Sequence, residues 1–375
     1  MRYLIGVIFA AVLIVSAYYF FLPLLVPEIP GKPLSAPVIK LGFIGPLSGD
    51  FAALAQPIKN AVSLAIKDLK TQGRLIEIVF ADGRCDGETA IAALNNLINV
   101  EQISLVIGGV CSGETIAMAP LADFSQTIVF SPSASGADIS HSGDFVFRNS
   151  PADAQSGFFL AEELGKKFKN VALISESPEA VQVLRRIFID RFTELGGEIV
   201  LDAVYPPDVK ERDLKDLARK RLKEATTTEA ILLNSQNEQN AAFLVKQIRA
   251  LKIKWPIYGP PLLGSPRFSE LAGKEASGII YADLPSLDRS QIRVQAFLND
   301  YQKFFGPAPL EDFFLGTAYD AVGILAQAAA KAGNDPVKIR DYLYNLPEYD
   351  GLAGRYSFDL NGDVVGIKFI LKEIK

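Results

Sequence analysis

Hydroxyl and glycine residues are concentrated in two turns of the sequence, each of which follows a short apolar run. The run 105–110 leads into residues 111–113, and the run 128–130 leads into the serine-rich turn 131–135. Short apolar runs of this kind are typical of buried parallel strands, which place such turns at the carboxyl edge of the sheet. Backbone N–H groups, hydroxyls and the positive end of a helix there predict a binding site for a carboxylate or another small anion. Each serine taken alone could instead cap a helix.

Residue types that carry out catalysis or bind metals are sparse. The sequence has one histidine, His141, and two cysteines, so no cluster has the spacing of metal ligands. Its glycine-rich turns match neither the phosphate loop nor the dinucleotide fingerprint, and the turn 45–49 lacks the G-x-S-x-G spacing of a nucleophile. We therefore expect a protein that is not an enzyme and that has no metal and no cofactor.

Composition and periodicity together predict an α/β protein of two domains. The 375 residues are 49% hydrophobic, which is enough for two cores of ordinary size. From residue 38 onward, short apolar runs alternate with helices, as in a doubly wound parallel sheet, and the pattern restarts near residue 150. Asp153 is placed to cap the first helix of the second set. The net charge of −5, with scattered Lys and Arg, argues against a nucleic acid partner.

Residues 1–26 are expected to be a membrane anchor or a signal segment. The stretch 4–22 has 19 residues without a charge, which is about long enough to cross the hydrocarbon core of a membrane. Arg2 before it and the aromatic residues 18–21 at its far end favour a transmembrane helix with the rest of the chain outside the cytoplasm. A signal peptide that is cleaved is the alternative. Residues 27–37 hold four prolines and predict a stiff spacer.

An exported chain makes a disulfide between the two cysteines the leading expectation. Cys85 and Cys111 each follow an apolar strand run, and the two strands end at the same edge of the predicted sheet. Such a bond would tie the serine-rich region to the neighbouring loop. Two free buried thiols are the alternative.

Several short motifs, taken in their order and spacing, resemble those of the extracytoplasmic solute-binding proteins of ABC transporters, in the branched-chain amino acid and amide group. The motifs are residues 44–49, Cys85 with 111–112, 131–135, 147–148 with Pro151, Asp153 and Gln155, 258–260, and 358–359 with 362–363. The resemblance covers residues 38–375 and implies the type I periplasmic binding fold, in which two Rossmann-like lobes with parallel sheets are joined by three hinge crossovers. Lobe one would comprise 38–149 and 283–350, and lobe two 150–282 and 351–375.

The resemblance also implies which residues bind a ligand. In similar proteins the ligand's carboxylate is held next to the second cysteine and in the second turn, positions that correspond here to Ser112, Gly113, Ser133, Ala134 and Ser135. The remaining positions of the family's pocket correspond to Leu54, Ala180, Gln236, Pro261 and Phe314.

Several of these positions depart from the amino-acid-binding pattern of the family. Pro261 stands where an acidic residue commonly holds the ligand's ammonium group, and Phe314 keeps an aromatic residue. Aromatic residues of similar proteins are replaced at Leu54, Ala180 and Gln236. Because a buried ammonium without a counter-charge costs several kcal/mol, an apolar or aromatic carboxylate, or an amide, fits better than a free amino acid. The acid could instead come from Glu114, Glu176 or Glu179.

The function that the resemblance implies is reversible capture of a small carboxylate- or amide-bearing solute outside the cytoplasm. A monomer would close over the ligand and present it to the permease of an ABC transporter. We expect the chain in the periplasm or at the outer face of the cytoplasmic membrane. The alternative is a membrane-tethered ligand-sensing protein, or a structural envelope protein, that uses the same fold without transport.

Overall fold

The computed structural model of the protein describes residues 38–309 and 311–375. The predicted N-terminal anchor and the proline-rich spacer lie outside these residues. Among the described helices, one, Phe313–Ala332, is long and apolar enough to cross a membrane, but 72% of its apolar window is buried inside the protein. This helix is therefore a core element of the fold.

The first sheet contains five parallel strands. They are β1 (Ile39–Gly45), β2 (Ile76–Asp82), β3 (Leu105–Ile107), β4 (Ile128–Ser131) and β5 (Val146–Arg148), in the spatial order β2-β1-β3-β4-β5. The crossovers between the first four strands carry α1 (Ala52–Thr71), α2 (Gly87–Asn99) and α3 (Ser112–Ser125). Strands β3, β4 and β5 are buried along their whole length, as expected for parallel strands that are covered on both faces.

The second sheet repeats this arrangement. Its first five strands are β6 (Asn170–Glu176), β7 (Glu198–Tyr205), β8 (Ala230–Asn234), β9 (Ile257–Gly259) and β10 (Ile280–Asp283). The accompanying helices are α4 (Gln155–Gly165), α5 (Glu179–Glu194), α6 (Glu211–Asp216), a π-helical turn (Leu217–Arg221), α7 (Leu222–Glu224), α8 (Glu238–Ala250) and α9 (Pro266–Ala272). The predicted restart of the βα pattern near residue 150 is thus confirmed.

The C-terminal part of the chain adds three helices, a small third sheet and the last strand of the second sheet. It contains α10 (Ile292–Phe305), α11 (Phe313–Ala332), α12 (Pro336–Tyr344), a small antiparallel sheet of β11 (Tyr349–Asp350), β12 (Arg355–Phe358) and β13 (Val364–Val365), and finally β14 (Ile370–Glu373). Strand β14 pairs antiparallel with β10 and completes a second sheet of order β14-β10-β9-β8-β6-β7.

The segment 351–375 is divided between the two cores, whereas the sequence reasoning assigned it entirely to lobe two. Phe358 packs edge-on against Phe130 and Phe147, with ring centroids 5.6 and 5.7 Å apart, and belongs to the hydrophobic core of the first sheet. Tyr356 and Val364 belong to the same core. The chain joins the second sheet only at β14, because burial of these aromatic side chains holds β12 and β13 against the first sheet.

Candidate functional site

Two adjoining cavities lie between the loops of the first and the second sheet. Each has a volume of about 230 Å³, and they share Asp153 and Pro261 as lining residues. We call the two cavities together the cleft. Its walls come from both halves of the molecule, since the loop that joins β4 to β5 lies on one side and the loops that follow β8 and β9 lie on the other. This is the edge of a parallel sheet at which α/β proteins bind ligands.

Five of the ten predicted ligand-binding residues line the cleft. They are Ser135, Ala180, Gln236, Pro261 and Phe314. The lining of these two cavities does not include Leu54, Ser112, Gly113, Ser133 or Ala134. Leu54 is 50% exposed on α1. The structure therefore brings residues from distant parts of the chain together, while a role in ligand binding stays a prediction for all ten.

The predicted serine cradle is connected by internal hydrogen bonds. The Ser112 hydroxyl accepts a hydrogen bond from the Gly136 N–H at 3.0 Å, and the Ser133 hydroxyl donates to the Val110 carbonyl at 2.9 Å. The hydroxyl of Ser131 accepts from the Ala134 N–H at 3.0 Å. The sequence predicted that the polar groups of these two turns bind the ligand, but in the structure they hydrogen-bond to each other. The same bonds fix the loop whose following residues, 135–137, line the cleft.

Asp153 is the acidic residue that the two cavities share. Its carboxylate accepts a hydrogen bond from the Ser135 hydroxyl at 2.9 Å, and its N–H donates to the Ser135 carbonyl at 2.9 Å. The surrounding cleft desolvates this carboxyl and raises its pKa, although the Ser135 hydrogen bond and the charge of Arg148 act in the opposite direction. Part of its surface stays accessible, so a ligand in the cleft can reach it.

The expectation that Asp153 caps a helix is wrong. Helix α4 begins at Gln155 with Ala154 at the cap position, and the Asp153 side chain makes no capping bond to that helix. The signal in the sequence that marked Asp153 as a candidate site residue was its position among the family motifs. Its spacing ahead of a helix is equally typical of a capping residue.

Asp283 and Glu311 also line the cleft, and within the described residues no Lys, Arg or His lines either cavity. Asp283 forms an ion pair with Lys372 at 2.7 Å.

The three acids proposed from sequence as alternatives have structural partners elsewhere. Glu176 is fully buried and accepts from the N–H groups of Gln236 and Asn237 at 2.6 and 3.0 Å, so it shapes the loop after β8. Glu179 is exposed and forms an ion pair with Arg186 at 2.6 Å. The third, Glu114, is also fully buried.

The Glu114 carboxylate accepts backbone hydrogen bonds from both cysteines of a disulfide. Cys85 and Cys111 are bonded, with Cα atoms 5.5 Å apart, as predicted. One Glu114 oxygen accepts from the Cys85 N–H and the other from the Cys111 N–H, each at 3.0 Å. Burial raises the pKa of this carboxyl, although these hydrogen bonds favour its charged form. The bridge fixes the start of α3, and hence Ser112, against the loop after β2.

Arg148 connects the cleft loop to the C-terminal turn. Its guanidinium is fully buried and donates to the Gly136 carbonyl at 2.7 Å and to the Ser140 hydroxyl at 2.8 Å. The charge is balanced by Asp363, which also accepts from Ser140 at 2.6 Å. Because Gly136 lines the cleft, this network positions part of its wall.

Comparisons with known proteins agree with this architecture. A sequence model of the family described as periplasmic binding protein matches residues 38–366. The chain is 24% identical over 339 residues to the Leu/Ile/Val-binding protein of Escherichia coli (strain K12), an alignment that covers 88% of this chain and 89% of the relative.

Solved structures of two bacterial proteins have the same fold. The ABC transporter substrate-binding protein of Desulfitobacterium hafniense, in complex with Leu, superposes with a TM-score of 0.74 at 23% identity and covers 90% of this chain and 98% of its own. A solute-binding protein of an ABC transporter from Rhodopseudomonas palustris, in complex with 3,4-dihydroxybenzoic acid, gives a TM-score of 0.68 at 22% identity and covers 90% and 93%.

Proposed function

The chain belongs to the periplasmic binding protein family, and from this premise we propose that it captures a small solute in the cleft and delivers it to the permease of an ABC transporter. The ligand is a small molecule with an amide or carboxylate head, bound outside the cytoplasm by closure of the two halves around the hinge. Support comes from a cleft whose walls are contributed by both sheets.

The observation that carries this proposal is the hydrogen-bonded pair of Ser135 and Asp153 in the cleft. An ionised carboxylate repels a second carboxylate and attracts N–H donors, so Asp153 favours a ligand that presents an amide or ammonium group at this point. Asp153 thus offers the counter-charge that Pro261 cannot supply. Phe314, also in the cleft, provides an aromatic surface for an apolar side chain.

The ligands of related proteins indicate which classes of small molecule should be tested. The relative from E. coli is named for three branched amino acids, and the R. palustris protein holds an aromatic acid. For this chain we propose that amides and amino-bearing solutes bind better than carboxylates that lack nitrogen. A free amino acid, which the sequence made doubtful, is included because Asp153 lies in the cleft.

Matched ligands test the proposal in a thermal-shift experiment on residues 39–375, which form a unit with its own hydrophobic cores. The panel pairs leucine and leucinamide with 4-methylpentanoate, and benzamide with benzoate. A bound ligand at a hundred times its dissociation constant stabilises the fold by about 2.7 kcal/mol. We expect stabilisation by nitrogen-bearing members, lost in Asp153→Asn and kept in Asp208→Asn, whose side chain is exposed and does not line the cleft.

Uptake by cells tests the transport step separately. Cells that lack the chain should lose uptake of the ligand found in the panel, and the wild-type gene should restore it while Asp153→Asn does not. Stabilisation without any change in uptake would point to a sensing role. No stabilisation by any member would favour a structural envelope protein.

A further inference from the structure

Another cavity lies outside the cleft. It has a volume of about 550 Å³ and lies between α4 and residues 364–369. We call it the outer cavity. Its lining is mostly apolar and includes Phe158, Phe159, Val365, Ile367 and Phe369. A concave, mainly apolar space of this size is typical of sites that bind small molecules.

One cation at the outer cavity has no ion-pair partner among the described residues. Glu162 is paired with Arg191 at 2.6 Å, and Glu163 with Lys166 at 2.5 Å. Lys368 also lines the cavity, and its exposed ammonium forms no ion pair with any described residue. A ligand that fits both the apolar walls and this charge carries an anionic group at one end of an apolar body.

The outer cavity and the cleft share a wall. Phe369 lines the outer cavity and also the cleft, and its ring packs on Phe159 with centroids 6.1 Å apart. Residues 366–369 connect β13, in the small sheet that packs on the core of the first sheet, with β14 in the second sheet. A molecule that fills the outer cavity therefore contacts one of the segments that join the two halves.

We propose that the outer cavity is a second ligand site, which binds a small amphipathic carboxylate with its tail on Phe158 and Phe159 and its head at Lys368. Occupancy stabilises residues 364–369 in the position seen here, and this restraint extends through Phe369 to the cleft loop 131–137. Binding in the outer cavity does not depend on the proposed function of the cleft, whereas the effect of that binding on the cleft rests on the proposed function.

Titration calorimetry with octanoate tests the site directly. We expect octanoate to bind residues 39–375, and octylammonium to bind at least about tenfold more weakly, a difference of about 1.4 kcal/mol. Lys368→Glu should weaken octanoate binding by a similar factor, and Val365→Trp should abolish it by filling the cavity. Lys167→Glu is the matched control, because Lys167 is also an exposed lysine, lies just after α4, and does not line the cavity.

A cleft variant separates the two sites. Asp153→Asn should leave octanoate affinity unchanged. If octanoate bound in the cleft, removal of the Asp153 charge would raise its affinity by lifting the repulsion between the two carboxylates, and such a rise would overturn the proposal. Absence of octanoate binding to the wild type, or equal binding by wild type, Lys368→Glu and Val365→Trp, would overturn it as well.

Hydrogen exchange tests the connection to the cleft. Octanoate should slow amide exchange in residues 364–369 and, because Phe369 is shared, in residues 131–137. Slowing restricted to residues 364–369 and α4 would support the site and overturn its effect on the cleft. The same measurement on Val365→Trp, without octanoate, should reproduce the slowing, since the indole occupies the same space.

Discussion

The buried guanidinium of Arg148 lies against the carboxylate of Asp363, 215 residues further along the chain, with Nε and Oδ1 2.5 Å apart. Arg148 is fully buried, and Asp363 is almost so. The same guanidinium donates to Gly136 in the wall of the cleft. The pair therefore ties the turn between β12 and β13, just before the chain passes to the second sheet, to the loop that shapes the candidate ligand site.

Removal of the Asp363 carboxylate should be strongly destabilising. Asp363→Ala leaves the Arg148 charge buried without its partner, and breaking a buried pair in this way costs about 3–5 kcal/mol. Urea unfolding of the wild type and the variant measures the difference. Asp216→Ala, which removes an exposed ion pair with Lys220, is the control and should cost about 0.5 kcal/mol or less. Equal effects of the two substitutions would show that the buried pair adds nothing.

Gly362, next to Asp363, allows the C-terminal turn to lie against β5. Its φ is +74°, and a Cβ there would lie 2.3 Å from the Val146 carbonyl oxygen. Gly333 has a similar φ of +75°, but a Cβ added there meets no atom within 4 Å. Gly333→Ala should therefore lower the free energy of unfolding by about 1 kcal/mol, because only the unfavourable positive φ acts there. Gly362→Ala should lower it clearly more, because the steric clash adds to that cost. Chemical denaturation of both variants gives the comparison, and similar costs would contradict the steric explanation.

The sheets and the disulfide were predictable because their signals are local. Apolar runs of three to eight residues mark the buried strands, and Cys85 and Cys111 follow two of them. The assignment of residues 355–365 was not predictable in this way. Their place depends on packing of Phe358 against Phe130, more than two hundred residues earlier, and a period-two pattern says nothing about which sheet a strand will face.

The candidate site was predicted only in part, for a related reason. Hydroxyl-rich turns at strand ends indicate a polar edge, but the pattern does not reveal which hydroxyls are used within the protein, as at Ser112 and Ser133. Asp153 was missed because an acidic residue just before a helix is most often a cap. Its hydrogen bond to Ser135, eighteen residues away, is visible only in three dimensions.

Reduction of the disulfide should destabilise the protein measurably. The bond closes a loop with a sequence separation of 26, which corresponds to about 3.5 kcal/mol in the chain-entropy description. Replacement of both cysteines by serine should lower the free energy of unfolding by a similar amount. Because Glu114 binds the N–H groups of both cysteines, Glu114→Ala in the double-serine background should cost less than in the wild type. Strictly additive effects would show that the carboxylate and the disulfide act independently.

Asp320 should make stability fall as pH rises through the mildly acidic range. It is buried beneath the loop that follows β11, accepts from the N–H groups of Leu352 and Ala353 at 2.8 and 3.0 Å, and burial raises its pKa to about 6 from 3.8. The folded protein therefore keeps a proton that the unfolded chain releases, so this contribution is present below pH 3.8 and is lost as pH rises to about 6. Free energies of unfolding of wild type and Asp320→Asn across this window should differ in slope, the variant lacking this decrease. Parallel curves would contradict the prediction.

Ligand affinity should depend on pH through Asp153. Because desolvation raises the pKa of this carboxyl above its ordinary value, protonation sets in at a higher pH than for an exposed aspartate, and the negative charge is lost as the pH falls through that raised pKa. A ligand that presents an ammonium group to Asp153 should therefore bind progressively more weakly as pH is lowered from about 7 to about 4. Asp153→Asn should bind more weakly at neutral pH and show little change across the range.

The sign of this dependence distinguishes the two ligand classes. For a ligand with a bare carboxylate at the same point, protonation of Asp153 removes a repulsion, so its affinity should rise as the pH falls towards the pKa of the ligand itself. Calorimetric titrations of leucinamide and 4-methylpentanoate at several pH values, on wild type and Asp153→Asn, measure both trends. If the carboxylate binds more tightly than the amide at neutral pH and neither depends on Asp153, the ligand's polar head lies elsewhere in the cleft.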